Sequence, residues 1–205
     1  MLFYIGRSLF RLMFCLLGRW TVEGRENVPA EGGVILAPNH ISYLDPPLAG
    51  SAVKRPVHFM AKRELFEIPI FGNIIRRTHA FPVSRGTADR RALRQAHDLL
   101  QRGEVVVVFP EGKRSPDGRL QEPELGIALI AARAKVPVVP MALLGSDRML
   151  PRGSSIIRPA RLHVRIGPPL RFPEVYDRPA DREALTAVAR QITEAIRDLL
   201  PTEMR

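Results

Sequence analysis

What this chain has little of narrows its chemistry first. A single cysteine, Cys15, leaves no partner for an intramolecular disulfide and no basis for a multi-cysteine zinc site. That usage suits a reducing compartment. The chain has no Walker A loop, no dinucleotide fingerprint and no HExxH helix. It also has no Gly-x-Ser-x-Gly nucleophile elbow, no internal repeat and no low-complexity tract. Aromatic residues make up only 6%, and many fall in the first twenty positions, so few remain to stack on bases. Acidic residues are scarce beside basic ones, 21 against 31, which sets a formal net charge of +10. The excess is mostly arginine and is dispersed. It favours an anionic partner, such as phospholipid headgroups or a phosphorylated small molecule, and the dispersion weighs against nucleic acid.

What is present suffices for one folded domain, with 205 residues of which 45% are hydrophobic. The first segment stands apart. Residues 1–20 are almost wholly apolar, interrupted by Arg7 and Arg11 at an i, i+4 spacing. Two arginines inside so short a run argue against a spanning helix, and the order of charge and apolar residues is not that of a secretory signal. The segment reads as an amphipathic helix lying in a membrane interface, its arginines toward the headgroups. Packing on the protein's own core is the alternative. The expected division is therefore a membrane-associating helix over 1–19 and a catalytic domain over 20–205, held at the cytoplasmic face of a membrane.

From Trp20 onward, apolar runs alternate with helical patterns. Strands are expected at 20–23, 33–37, 57–61, 79–83, 104–109 and 136–144, with a late, more exposed strand at 161–166. Helices are expected at 46–53, from Thr87 as cap to about Arg102, at 125–134 and at 181–200. Residues 68–72 read as an apolar loop. This alternation predicts an α/β fold, a single domain with a largely parallel central sheet flanked by helices.

Three expected strand ends carry polar clusters: His40 with Asp45, Ser84 with Arg85, and Glu111 with Arg114. In a parallel sheet they converge on one rim. His40 and Asp45 are five positions apart, which fits neither one helical face nor one strand face, so the chain must turn between them. Asp45 before Pro46 suggests that turn, as an N-cap followed by the first helical residue. A histidine oriented by a carboxylate can take a proton from a hydroxyl. With no protein nucleophile in view, the hydroxyl belongs to a substrate and attacks an activated acyl group. Taken singly, each cluster also has a plain reading: Asp45 as a cap only, His40 as a loop residue, Arg85 and Arg114 as solvated surface charges.

Four blocks, Asn39-His40-Ile41-Ser42-Tyr43-Leu44-Asp45, Phe81-Pro82-Val83-Ser84-Arg85, Phe109-Pro110-Glu111-Gly112-Lys113-Arg114-Ser115 and Val136-Pro137-Val138-Val139-Pro140, resemble in order and spacing those of the glycerolipid acyltransferases. The segment from Ala61 to Leu65 also resembles that family. The resemblance implies transfer of a fatty acyl chain from acyl-CoA or acyl-acyl carrier protein to the free hydroxyl of 1-acylglycerol 3-phosphate. Glycerol 3-phosphate or another lysophospholipid is the alternative acceptor. It assigns His40 as base and Asp45 as its orienting partner. Arg85 falls where the family binds phosphate, Glu111 and Gly112 in its acceptor-binding block, and Lys62 and Arg114 at further basic positions. The thioester is a co-substrate, and neither cofactor nor metal is implied. Ser84 and Lys113 depart from the usual pattern and bear on which acceptor is preferred. A thioesterase, with water in place of the acceptor, is the competing enzyme reading, though it gives the arginines little to do.

Overall fold

In a computed structural model, residues 2–84, 89–177, 179 and 181–205 are described. Four consecutive valines, Val105 to Val108, announce the kind of strand at the centre of this fold, one covered on both faces. The sheet has seven strands: β1 (Thr21–Glu23), β2 (Val34–Pro38), β3 (Val57–Lys62), β4 (Ala80–Val83), β5 (Val105–Val107), β6 (Val138–Leu144) and β7 (His163–Ile166). Their order is β1-β7-β6-β2-β5-β3-β4. The run from β6 to β4 is parallel; β7 joins β6 antiparallel, and β1 pairs parallel to β7. The expected α/β fold with a largely parallel sheet is therefore what the chain adopts.

Helices cover both faces. On one side lie α1 (Leu2–Gly18) and α2 (Asp45–Ala52), burying Phe3, Phe14 and Leu48 against Val34, Leu36, Val105, Val107 and Met141. α3 (Phe71–Arg77) begins inside the expected apolar loop, taking its last two residues, Phe71 and Gly72, and leaving 68–70 outside the helix. On the other side α4 (Arg90–Gln101), α5 (Gly126–Ala134) and, after two one-turn helices α6 (Ser146–Met149) and α7 (Pro173–Tyr176), the long α8 (Arg182–Leu199) pack on the alternate residues Ile35, Val106 and Val138. β-strand alternation thus sends even and odd neighbours into two separate cores.

Two helix starts differ from expectation. Thr87 lies outside the described residues, and α4 is capped by Asp89, whose carboxylate accepts from the amides of Arg91 and Ala92. A further amide, from Ser84, helps hold the Asp89 carboxyl down at about 2. Asp45 is the first residue of α2 and its side chain does not cap the helix.

The first helix also differs in orientation. Arg7 and Arg11 face the protein. Arg11 donates to Ser51 O at 2.8 and 2.9 Å and to Val53 O at 3.1 Å, and Arg7 donates to Lys54 O at 3.0 Å. These carbonyls end α2, where the helix dipole and unpaired C=O groups favour a cation. The expectation that the arginines point toward headgroups is therefore corrected: the face they share with Phe3 and Phe14 is the packed one. The outward stripe is Ile5, Leu9, Leu12 and Leu16. Among the described residues no helix is long and apolar enough to cross a membrane.

Candidate active site

β2 lies between β5 and β6, although its own crossover leads to β3, so the chain connections diverge at its C-terminal end. A crevice opens at such a point in a parallel sheet. His40 sits there, two residues past β2. The turn demanded by its spacing to Asp45 is built by Asp45 itself. Oδ2 accepts from the amides of Ile41 and Ser42, both at 2.6 Å, and from His40 Nδ1 at 2.8 Å. An oxygen receiving two amide protons carries none of its own, so the proton in the His40 bond belongs to Nδ1. That leaves the Nε2 lone pair free to act as a base. Ser146 Oγ donates to the other oxygen, Oδ1. Asp45 is fully buried, and both of its carboxylate oxygens accept hydrogen bonds.

The imidazole is fixed from two further directions. Phe109 stacks on it with ring centroids 4.0 Å apart. The His40 backbone is clamped: its N–H donates to Glu111 Oε1 at 2.7 Å, and its C=O accepts from the Ser115 amide at 2.7 Å. Glu111 Oε2 in turn accepts from the Gln121 amide at 3.1 Å. Burial pushes the Glu111 carboxyl up to about 7, and the nearby Asp45 adds to the rise, against the lowering effect of the two amides. Gly112 takes φ of +65°. A Cβ there would lie 2.3 Å from the Glu124 carboxylate, so only glycine makes this turn without strain.

Of the residues singled out from the sequence, His40, Asp45, Glu111 and Gly112 thus form one hydrogen-bonded unit or adjoin it. Arg114 lies beside it, with its guanidinium carbon 3.5 Å from the centre of the Tyr43 ring. Lys62 ends β3 on the same edge of the sheet, exposed and paired with Glu64 at 3.1 Å. Arg85 lies outside the described residues. The amides of residues 40, 41, 42, 44 and 45, near the start of α2, are committed to Glu111, Asp45 or Ser42. Ser42 is no nucleophile: its hydroxyl donates to Leu150 O at 3.1 Å.

Sequence reading missed three contributors. Ser146 reaches Asp45 across 101 positions, and no local pattern announces it. Phe109 was visible only as the end of a buried run. Asn39 pairs both amide atoms with the backbone of Leu143, at 2.7 and 3.1 Å, tying the His40 loop to β6. Its place beside His40 was the one available signal.

A cavity of about 500 Å³ opens next to the dyad, and its walls are almost entirely apolar. Tyr43 and Phe109 form the end nearest His40; Phe59, Gly50 and Ile75 line its body, and α1 flanks it with Phe3, Gly6 and Phe10. Its size is that of a small-molecule site.

An oriented histidine at the end of a greasy chamber, with no side-chain nucleophile beside it among the described residues, suits an enzyme that works on long apolar groups better than a module that binds by charge. The Acyltransferase family model matches residues 19–144, and the chain belongs to that family; it is an acyl-group transferase. Over 194 residues it is 30% identical to the 1-acyl-sn-glycerol-3-phosphate acyltransferase of Bacillus subtilis, covering 94% of each chain. It is 35% identical to the chloroplastic enzyme of the same description from Arabidopsis thaliana, over 73% of this chain but only 43% of that longer one. The crystal structure of the 1-acyl-sn-glycerophosphate acyltransferase PlsC from Thermotoga maritima superposes with a TM-score of 0.77 at 29% identity, covering 96% of this chain and 79% of that one.

Proposed function

We propose that the protein transfers a fatty acyl chain from acyl-CoA or acyl-acyl carrier protein to the free hydroxyl of 1-acylglycerol 3-phosphate, forming phosphatidic acid. The observation that carries this reading is the His40–Asp45 pair at the end of the apolar cavity, with the Arg114 cation on Tyr43 beside it. The relatives described as acting on this acceptor support it.

In the mechanism, His40 Nε2 takes the proton of the acceptor hydroxyl as its oxygen attacks the thioester carbonyl. The tetrahedral intermediate collapses, the thiolate leaves, and the proton on His40 passes to it. Asp45 keeps the imidazole in the required tautomer and stabilises its protonated form. Arg114, with Lys62 and Arg85, holds the acceptor phosphate; a guanidinium suits this through paired, charge-assisted bonds. The cavity takes an acyl chain. Orientation of the two substrates supplies the remaining acceleration. We assign the segment 1–19, which contains α1, to a membrane surface on the cytoplasmic side, through the outward Leu9, Leu12 and Leu16 of that helix.

The test is a screen of purified enzyme with 1-acylglycerol 3-phosphate, glycerol 3-phosphate and lysophosphatidylcholine, each against acyl-CoA and acyl-acyl carrier protein. The reading expects the first acceptor to dominate with at least one donor. Release of free fatty acid without acceptor acylation would make the protein a thioesterase instead. His40→Ala should retain its circular dichroism and lose roughly 100- to 10,000-fold in kcat.

A further inference from the structure

The cavity has a second feature, beside its α3 wall. Residues 68–74, Ile68-Pro69-Ile70-Phe71-Gly72-Asn73-Ile74, leave all but Gly72 exposed to solvent. Ile70 is the extreme at 76%. A soluble surface seldom groups four large apolar side chains in this way.

The segment is not a loose loop that could fold these side chains inward. Gly72 N–H donates to Ile68 O at 2.9 Å and Phe71 N–H to Pro69 O at 2.7 Å. Gly72 packs so closely on the Phe66 carbonyl that a Cβ would lie 2.3 Å from it. Ile70 itself holds φ of +66° and ψ of −56°. For a β-branched residue this is a marked outlier, costing roughly 1–3 kcal/mol. The conformation turns its side chain outward, where water gives it no return.

Position supplies the reason. Phe71 and Ile74 line the cavity and are also exposed, and so are Ile5 and Leu9 of α1. The cavity therefore opens to the outside between α1 and α3, through a mouth with apolar side chains on both lips. Lys62, Arg63, Arg76 and Arg77 outnumber Glu64 and Glu67 around the α3 lip. Apolar tips flanked by cations fit a bilayer bearing anionic headgroups, and an acidic soluble protein would not engage the isoleucines.

We propose that residues 68–74 form a second membrane-inserting element, which with α1 seats the cavity mouth on the bilayer so that acyl chains enter and leave through the lipid phase. The proposal rests on the assignment of α1 to a membrane surface.

The experiment is flotation of the full chain with vesicles of three parts phosphatidylcholine to one part phosphatidylglycerol, for wild type, Ile68→Glu/Ile70→Glu, Ile70→Gly and Leu12→Glu/Leu16→Glu. None of the substituted residues lines the cavity. The Ile68→Glu/Ile70→Glu variant should bind at least roughly tenfold more weakly. It should lose a similar factor on acceptor embedded in vesicles while keeping its rate on a short-chain, monomeric acceptor within about twofold. Ile70→Gly should bind more weakly with no fall in thermal stability, since glycine relieves the positive φ; a merely structural Ile70 would not give that combination. Undiminished flotation of both Ile70 variants, with the α1 variant released, overturns the second element and leaves the α1 assignment standing. A wild type that does not float overturns both.

Discussion

Asp45 Oδ2 receives three donors from one short turn, and this single oxygen explains why a histidine and an acid five residues apart can meet. The turn is wrapped around the carboxylate. Replacing Ser146 by Ala removes the donor on Oδ1 and leaves a buried oxygen without a partner, a loss of about 1–3 kcal/mol in denaturant unfolding. Glu111 predicts a pH effect. Its folded value of about 7 lies above the ordinary 4.5, so its contribution is greatest below that ordinary value and is lost as pH rises to about 7. His58 and His79, whose values burial lowers, act in the opposite sense, gaining stability as pH rises toward 6.5. Glu111→Gln isolates the first effect. Relative to wild type it should be more stable at pH 8 than at pH 5 by on the order of 1–3 kcal/mol, checked by urea melts at both values. At this scale the dyad and the Glu111 block were legible, because each sits within a few residues of a strand end. Ser146 was not, since only the fold brings the start of α6 to the mouth of β2.

At the scale of elements, hydrophobic period found most of the strands and the long helices. It failed where an element is short or turned inside out. α3 is such a case: only Phe71 and Gly72 fall in the expected loop, and its exposed Phe71 and Ile74 give no inner stripe to detect. α1 was found, but its arginines were assigned to the wrong side. Arginine on an otherwise apolar helix has two possible hosts, headgroups or the carbonyl end of another helix, and composition does not separate them. Arg11→Ala should show which matters. Loss of its bonds to Ser51 and Val53 is expected to lower stability by about 1–3 kcal/mol in a denaturant melt, with little change in vesicle flotation.

Across the whole molecule, the sheet brings His40 to one end of the cavity, whose body is shared between strand β3 and three helices. The parallel sheet was foreseen from alternation, and the antiparallel attachment of β7 was not, since no pattern in residues 161–166 fixes strand direction. The cavity was invisible in the sequence, because its walls come from α1, α2, β3 and α3 together. Gly50 lies in that wall, and a Cβ there would meet the Phe59 ring at 2.9 Å and Val57 at 3.1 Å. Gly50→Ala, by forcing these neighbours to shift, should move the preference toward shorter donors, seen as a fall in kcat/KM for stearoyl relative to octanoyl thioesters.

The bonding of Arg7 and Arg11 to the end of α2 has a practical consequence for anyone isolating the enzyme. Their charge is already satisfied inside the protein, so the outward side of α1, which we assign to a membrane surface, carries no cation of its own. Screening by salt acts on exposed charges and leaves apolar contact intact. A wash of membranes with concentrated sodium chloride should therefore leave most of the protein in the pellet, and a mild detergent should release it.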